Sequence, residues 1–134
     1  WYLNLDQIKE MNTFMKCIGS HSHSHVPLSN LSKKQTYSEL KKSKELLESY
    51  LNCTIDSFSY PLGGSHAFSL SDTNLVEEVG YKYAFTMERK QNLDLINKFK
   101  IARIDCNDLP EVGKTPLFKI IDNQYHKINF NSEK

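Results

Sequence analysis

Ile18-Gly19-Ser20-His21-Ser22-His23-Ser24-His25-Val26-Pro27 places three imidazoles within five residues, directly after a short apolar patch. Neutral imidazole is a common ligand of zinc and related divalent ions, and the small serines between the rings leave room for a cation and its water. Two backbone courses bring rings together. A helical turn after Gly19 sets His21 and His25 on one face at i and i+4, whereas an extended course points His21, His23 and His25 to one side. Either way His21 and His25 share a face, so the tract reads as a metal site built on those two residues. The alternative is a polar loop whose histidines meet only solvent, because a short histidine-rich tract is a compositional signal.

What lies upstream places this tract at the end of a strand. Asp6 to Met15 carries Ile8, Met11 and Phe14 or Met15 at helical intervals, with Asp6 as N-cap. Lys16 to Ser20 is too short for another helix and suits a buried strand. The histidines then follow its carboxyl end, where ligands gather in sheets built by strand and helix alternation.

Downstream, Thr36 and Glu39 have capping-box spacing, and Leu40, Ser43, Leu47, Tyr50 and Leu51 form the apolar stripe of a second helix. Thr54 to Tyr60 is β-branched and aromatic, a strand ended by the tight loop Pro61-Leu62-Gly63-Gly64. Ser71 or Asp72 opens a short helix through Val79, closed by Gly80 in the left-handed C-terminal position. Strands are expected at Tyr81 to Thr86 and Phe99 to Asp105, joined by a polar connection over Glu88 to Lys98. Asn107-Asp108-Leu109-Pro110 breaks the last strand, and Leu117, Phe118, Ile120 and Ile121 mark a final helix within Pro116 to Tyr125 before a fraying tail at Asn129 to Lys134. This order predicts an α/β layer structure with mostly parallel strands, as a barrel or an open sheet.

The bulk properties narrow the function. A chain of 134 residues with 39% hydrophobic and 25% charged content fits one soluble domain with its own core. A net charge of +1 with interspersed signs excludes the electrostatic footprint of a nucleic-acid binder. No apolar run approaches a membrane span, and the first residues lack a signal-peptide pattern. Trp1-Tyr2-Leu3 reads as the middle of a domain, since no initiating Met precedes the amphipathic pattern. Cys17, Cys53 and Cys106 are odd in number and widely spaced, so they are expected as small buried hydrophobes, with a zinc bound by one or two of them plus a histidine as the minor alternative.

Four stretches in order carry a family resemblance. Ile18-Gly19-Ser20-His21-Ser22-x-x-His25 with Pro27-Leu28 and Leu31-Ser32 resembles the metal-binding motif of polysaccharide deacetylases of the NodB-homology, or carbohydrate esterase family 4, type. Phe58-Ser59-Tyr60-Pro61-Leu62-Gly63 resembles the family's next motif in its F-x-Y-P-x-G variant. Val79-Gly80-Tyr81-Lys82-Tyr83-Ala84-Phe85-Thr86 and Ala102-Arg103-Ile104 resemble two of its strands.

The resemblance implies a partial or irregular (β/α) barrel with mostly parallel strands. It also implies a metal-dependent hydrolase, with zinc as the expected ion, that removes acetyl groups from an N-acetylated oligo- or polysaccharide, in work at the cell envelope or outside the cell. His21 and His25 match the two histidine ligands, Ser22 matches the residue supporting the loop, and His23 falls at a variable position. Leu62 replaces the aromatic residue whose backbone N–H stabilises the oxyanion, a role that survives the change of side chain. Ser59 replaces the arginine that orders the base, and His66 and His126 are the candidates for the catalytic acid. The family's third ligand and base are two aspartates on a strand preceding the histidine motif. Residues 1–134 are therefore expected as a single, N-terminally incomplete domain, prone to self-association through an exposed sheet edge and apolar surface. Asp105 and Asp108 are expected to serve turn chemistry rather than stand in for those aspartates. A catalytically incomplete carbohydrate-binding or metal-binding module on the same scaffold is the alternative.

Overall fold

Asn4, not Asp6, starts the first helix. Its Oδ1 accepts from the Gln7 amide while Gln7 Oε1 accepts from the Asn4 amide, both at 2.9 Å, a reciprocal cap for α1 (Leu5–Met15). The computed structural model describes residues 3–15, 17–89, 92 and 97–103, together with the backbone of 118–121 and 124–127. Helix α2 (Lys33–Leu51) is likewise capped four residues earlier than expected, by Ser32 with Gln35 rather than by Thr36 with Glu39. That shift places Thr36 on the buried face with Leu40, Ser43 and Leu51, while Tyr50 stays 40% exposed. Helix α3 (Leu70–Glu78) is capped by Ser69 with Asp72 in the third position, and Gly80 closes it at φ 93° as its sequence position foretold.

The sheet is parallel. Strand β1 (Ser57–Ser59) pairs with β2 (Tyr83–Phe85), with Phe58 opposite Ala84. Ser20 bridges Phe58 on the outer side of β1, and Ile101 bridges Phe85 beyond β2, both in parallel sense. The strands expected at Lys16 to Ser20 and Phe99 to Asp105 thus contract, among the described residues, to one bridging residue each. Ser20 is nevertheless held on both sides: its N–H donates to Ser57 O at 2.9 Å and its carbonyl accepts from Ser59 N at 2.8 Å.

The core lies between this row and the helices. Leu28, Leu40, Ile55, Phe58, Tyr60 and Val76 are within 1% of complete burial, each contributing about 1.5–3 kcal/mol from removal of its apolar surface from water. Phe58 meets Tyr60 edge-on at 5.2 Å, and Tyr60 stacks on Phe68 at 4.0 Å. The Tyr60 hydroxyl donates to Phe99 O at 3.0 Å, and burial, helped by the Asp72 charge, pushes its pKa well above the ordinary phenol value.

Two further expectations give way. In place of the last helix over Pro116 to Tyr125, β3 (Phe118–Ile121) and β4 (Gln124–Lys127) form an antiparallel pair with Ile121 opposite Gln124. The β-branched Ile120 and Ile121 favour a pleated backbone, and an apolar cluster this short is ambiguous by period alone. Cys17 and Cys53 are exposed rather than buried. Cys17 lies on the approach to Ser20, before the sheet begins, and Cys53 follows the left-handed Asn52 that ends α2, so neither is turned to the core. Cys106, Asp105, Asp108, the break at 107–110 and the tail from 129 lie outside the described residues. Among those described, no helix is long and apolar enough to cross a membrane.

Candidate metal centre

The chain leaves the sheet at Ser20 and the next residue is His21. Its Nδ1 lies 2.7 Å from Ser59 O. A carbonyl only accepts, so Nδ1 carries the proton and Nε2 presents its lone pair. His25 Nε2 lies 3.1 Å from that atom, with ring centroids 4.8 Å apart and planes at 60°. For zinc–nitrogen bonds of about 2.0–2.1 Å, two nitrogens at this spacing subtend roughly 100° at a shared ion, near the tetrahedral angle. The pair therefore fits half of a zinc coordination shell. Among the described residues, no group of three His, Cys, Asp or Glu assembles, and His23 is exposed.

The loop between the two histidines is neither the helical turn nor the extended run considered from sequence. Ser22 and His25 both take the left-handed region, at φ 63° and 58°, a conformation that costs non-glycine residues on the order of 1–3 kcal/mol. Hydrogen bonds offset that cost. Ser22 Oγ accepts from the His25 amide at 3.1 Å, and Glu39 Oε2 accepts from the His23 and Ser24 amides at 3.1 and 2.8 Å. Burial pushes the Glu39 pKa up, but the bonds from Ser24 and His23 outweigh it and hold the carboxyl below its ordinary value. Ser20 is anchored too: its Oγ lies 2.7 Å from Ser43 Oγ on α2, which in turn lies 3.3 Å from the Tyr81 hydroxyl.

The two rings open onto a cleft of about 440 Å³ that Ser59, Leu62, Met87 and Arg103 also line. Leu62 is 54% exposed and left-handed at φ 56°, followed by Gly63 at φ 26°. Gly63 is required there, because a Cβ would sit 2.7 Å from Met87 N, whose N–H donates to the Gly63 carbonyl at 2.7 Å. Arg103 Nε donates to Thr86 O at 2.8 Å. Ser59 Oγ, at the position of the family's arginine, is buried and finds no partner among the described residues.

Of the two histidines expected to act as acid, His66 is exposed on the loop after Gly64, outside the cleft lining, and His126 lies on β4 opposite Lys119. Sequence reasoning missed Glu39 as a loop partner. The signal was its position three residues after Thr36 and four before Ser43, half-buried beside the buried stripe of α2.

Comparison with known proteins gives the family and the fold. Residues 3–84 match the polysaccharide deacetylase family, and the chain belongs to it. It is 27% identical over 106 residues to YxkH of Bacillus subtilis strain 168, whose name places it in the same family; the match covers 75% of this chain and 37% of YxkH. Among solved structures it resembles the Streptococcus pyogenes deacetylase PplD in complex with acetate, with a TM-score of 0.68 and 24% identity over 76% of this chain and 44% of that one. It also resembles BC0361, a polysaccharide deacetylase from Bacillus cereus, with a TM-score of 0.64 and 23% identity over 76% of this chain and 32% of that one. These likenesses establish an α/β fold with parallel strands matching part of a deacetylase domain. The chain spans less than half the length of each of these relatives.

Proposed function

We propose that this chain is part of a metal-dependent carbohydrate deacetylase that hydrolyses the C–N amide bond of an N-acetylated sugar in an oligo- or polysaccharide. On this reading, its row of parallel strands is one arc of an irregular (β/α) barrel. The observation that carries the reading is the convergence of His21 Nε2 and His25 Nε2 at 3.1 Å beyond the carboxyl ends of parallel strands. An amide is a poor electrophile, and a divalent ion, proposed as zinc, held by these two nitrogens would supply Lewis-acid polarisation and a water of lowered pKa.

The chain's own residues do the rest. The Ser59 carbonyl fixes the His21 tautomer and ring orientation. Leu62 lines the same cleft, so its backbone N–H is the proposed oxyanion donor. For protonation of the leaving amine, His66 shares its loop with Leu62 and is the first candidate to test, with His126 on the hairpin as the second.

One observation favours a second reading. No Asp or Glu lines the cleft among the described residues. A scaffold that binds a saccharide or a metal without turnover would look the same. Acetate release from chitooligosaccharides by the zinc-supplemented chain, lost in both His21→Ala and His25→Ala, would overturn the module reading, whereas zinc binding that neither substitution reduces would overturn the enzyme reading. Neither binding nor release would sink both.

A further inference from the structure

Glu39 belongs to α2 rather than to the sheet, yet its carboxylate reaches the loop between the two candidate ligands. One oxygen, Oε2, accepts from two consecutive amides, His23 N at 3.1 Å and Ser24 N at 2.8 Å. Successive N–H groups converging on one anion form a backbone nest, a conformation that needs a left-handed residue beside it, and Ser22 at φ 63° supplies one. The loop thus carries its rings on the outer residues, His21 and His25, while its inner amides are clamped from α2. Other roles for Glu39 fall away. It is not in a capping box, since Ser32 and Gln35 form that, and the ion pairs within α2 join Lys41 to Glu45 at 3.7 Å and Lys44 to Glu48 at 2.9 Å.

We propose that Glu39 is the positioning residue of the metal centre: its carboxylate fills the nest at His23 and Ser24 and so fixes the left-handed turns that bring the two imidazoles together. The inference rests on the metal reading above for its zinc readout, and on geometry alone for its loop readout.

The test uses the 134-residue chain and two measurements. In metal-free protein, hydrogen exchange at the His23 and Ser24 amides should accelerate about tenfold or more in Glu39→Ala, with α2 amides from Leu40 onward unchanged. Glu39→Gln should keep most of the protection, because both bonds go to a single oxygen that a glutamine carbonyl can replace. In calorimetric titration with zinc, Glu39→Ala should weaken affinity about 10- to 100-fold, Glu39→Gln by less, and Glu45→Ala not at all. Unchanged exchange at the two amides in Glu39→Ala, or zinc affinity equal to wild type, would overturn the assignment. Should the wild type bind no zinc, the metal reading fails by itself while the exchange measurement still decides the clamp. Should Glu39→Ala not fold, Glu39→Asp decides: it keeps the charge but falls one methylene short, so wild-type protection in it overturns the proposal.

Discussion

Among the described residues, the non-glycine positions with positive φ are Ser22, His25, Asn52 and Leu62, and all but the helix-capping Asn52 belong to the two loops of the cleft. Such conformations persist only where the surrounding structure over-determines them, and here hydrogen bonds to Ser22 Oγ and Glu39 hold the histidine loop. The closeness of His21 and His25 was legible in the sequence because both backbone courses considered bring the two rings together, and the family resemblance pointed to Leu62, which lines the same cleft. The sequence could not announce the loop shape, which depends on Glu39, fourteen residues from His25, arriving from another element. Gly63 tests the second loop. With φ 26° and backbone 2.7 Å from its missing Cβ, Gly63→Ala should lower stability by about 1–3 kcal/mol. A urea midpoint equal to wild type would show that the Leu62 turn is not constrained as described.

Elements were legible in kind, the last helix excepted, and blurred at their ends. Ser32 with Gln35 and Thr36 with Glu39 both have capping spacing, one helical turn apart, and only the reciprocal bonds of the first pair distinguish them. The hairpin in place of the last helix has the same origin: Leu117, Phe118, Ile120 and Ile121 satisfy either period over so few residues. At the end of α2, Glu48 Oε1 accepts from the Ile55 amide at 3.0 Å and pairs with Lys44 Nζ at 2.9 Å, and Lys44 Nζ also donates to Ile55 O. Burial raises the Glu48 pKa and Asp56 adds to that, but the Ile55 and Lys44 contacts prevail and hold it below its ordinary value of 4.5. A carboxyl depressed in the folded state stabilises above its unfolded pKa, and that contribution is lost as pH falls through the folded value. Glu48→Gln should therefore lower Tm by roughly 2–5 °C at pH 7, with the gap closing as pH drops below about 4. A gap independent of pH would show that the charge is not what Glu48 contributes.

At the scale of the molecule, the parallel α/β plan was readable from the alternation of strand and helix signals, and the structure shows it in β1, β2 and the bridges at Ser20 and Ile101. The surface carries a further expectation. Helix α1 fully buries none of its residues; Phe14 is 79% and Met15 62% exposed, with Leu3 at 54% just before the helix. Exposed apolar side chains grouped on one element favour association in water. Sedimentation velocity should show concentration-dependent self-association that Phe14→Ser reduces. A monomer at every concentration would remove this expectation without touching the metal centre.

The proposed metal centre stands or falls with His21 and His25 holding one ion between them. Calorimetric titration of the 134-residue chain with zinc, beside His21→Ala and His25→Ala, tests it most directly. One equivalent should bind to the wild type and to neither variant, whereas binding that survives both substitutions would place any metal elsewhere and contradict the central claim.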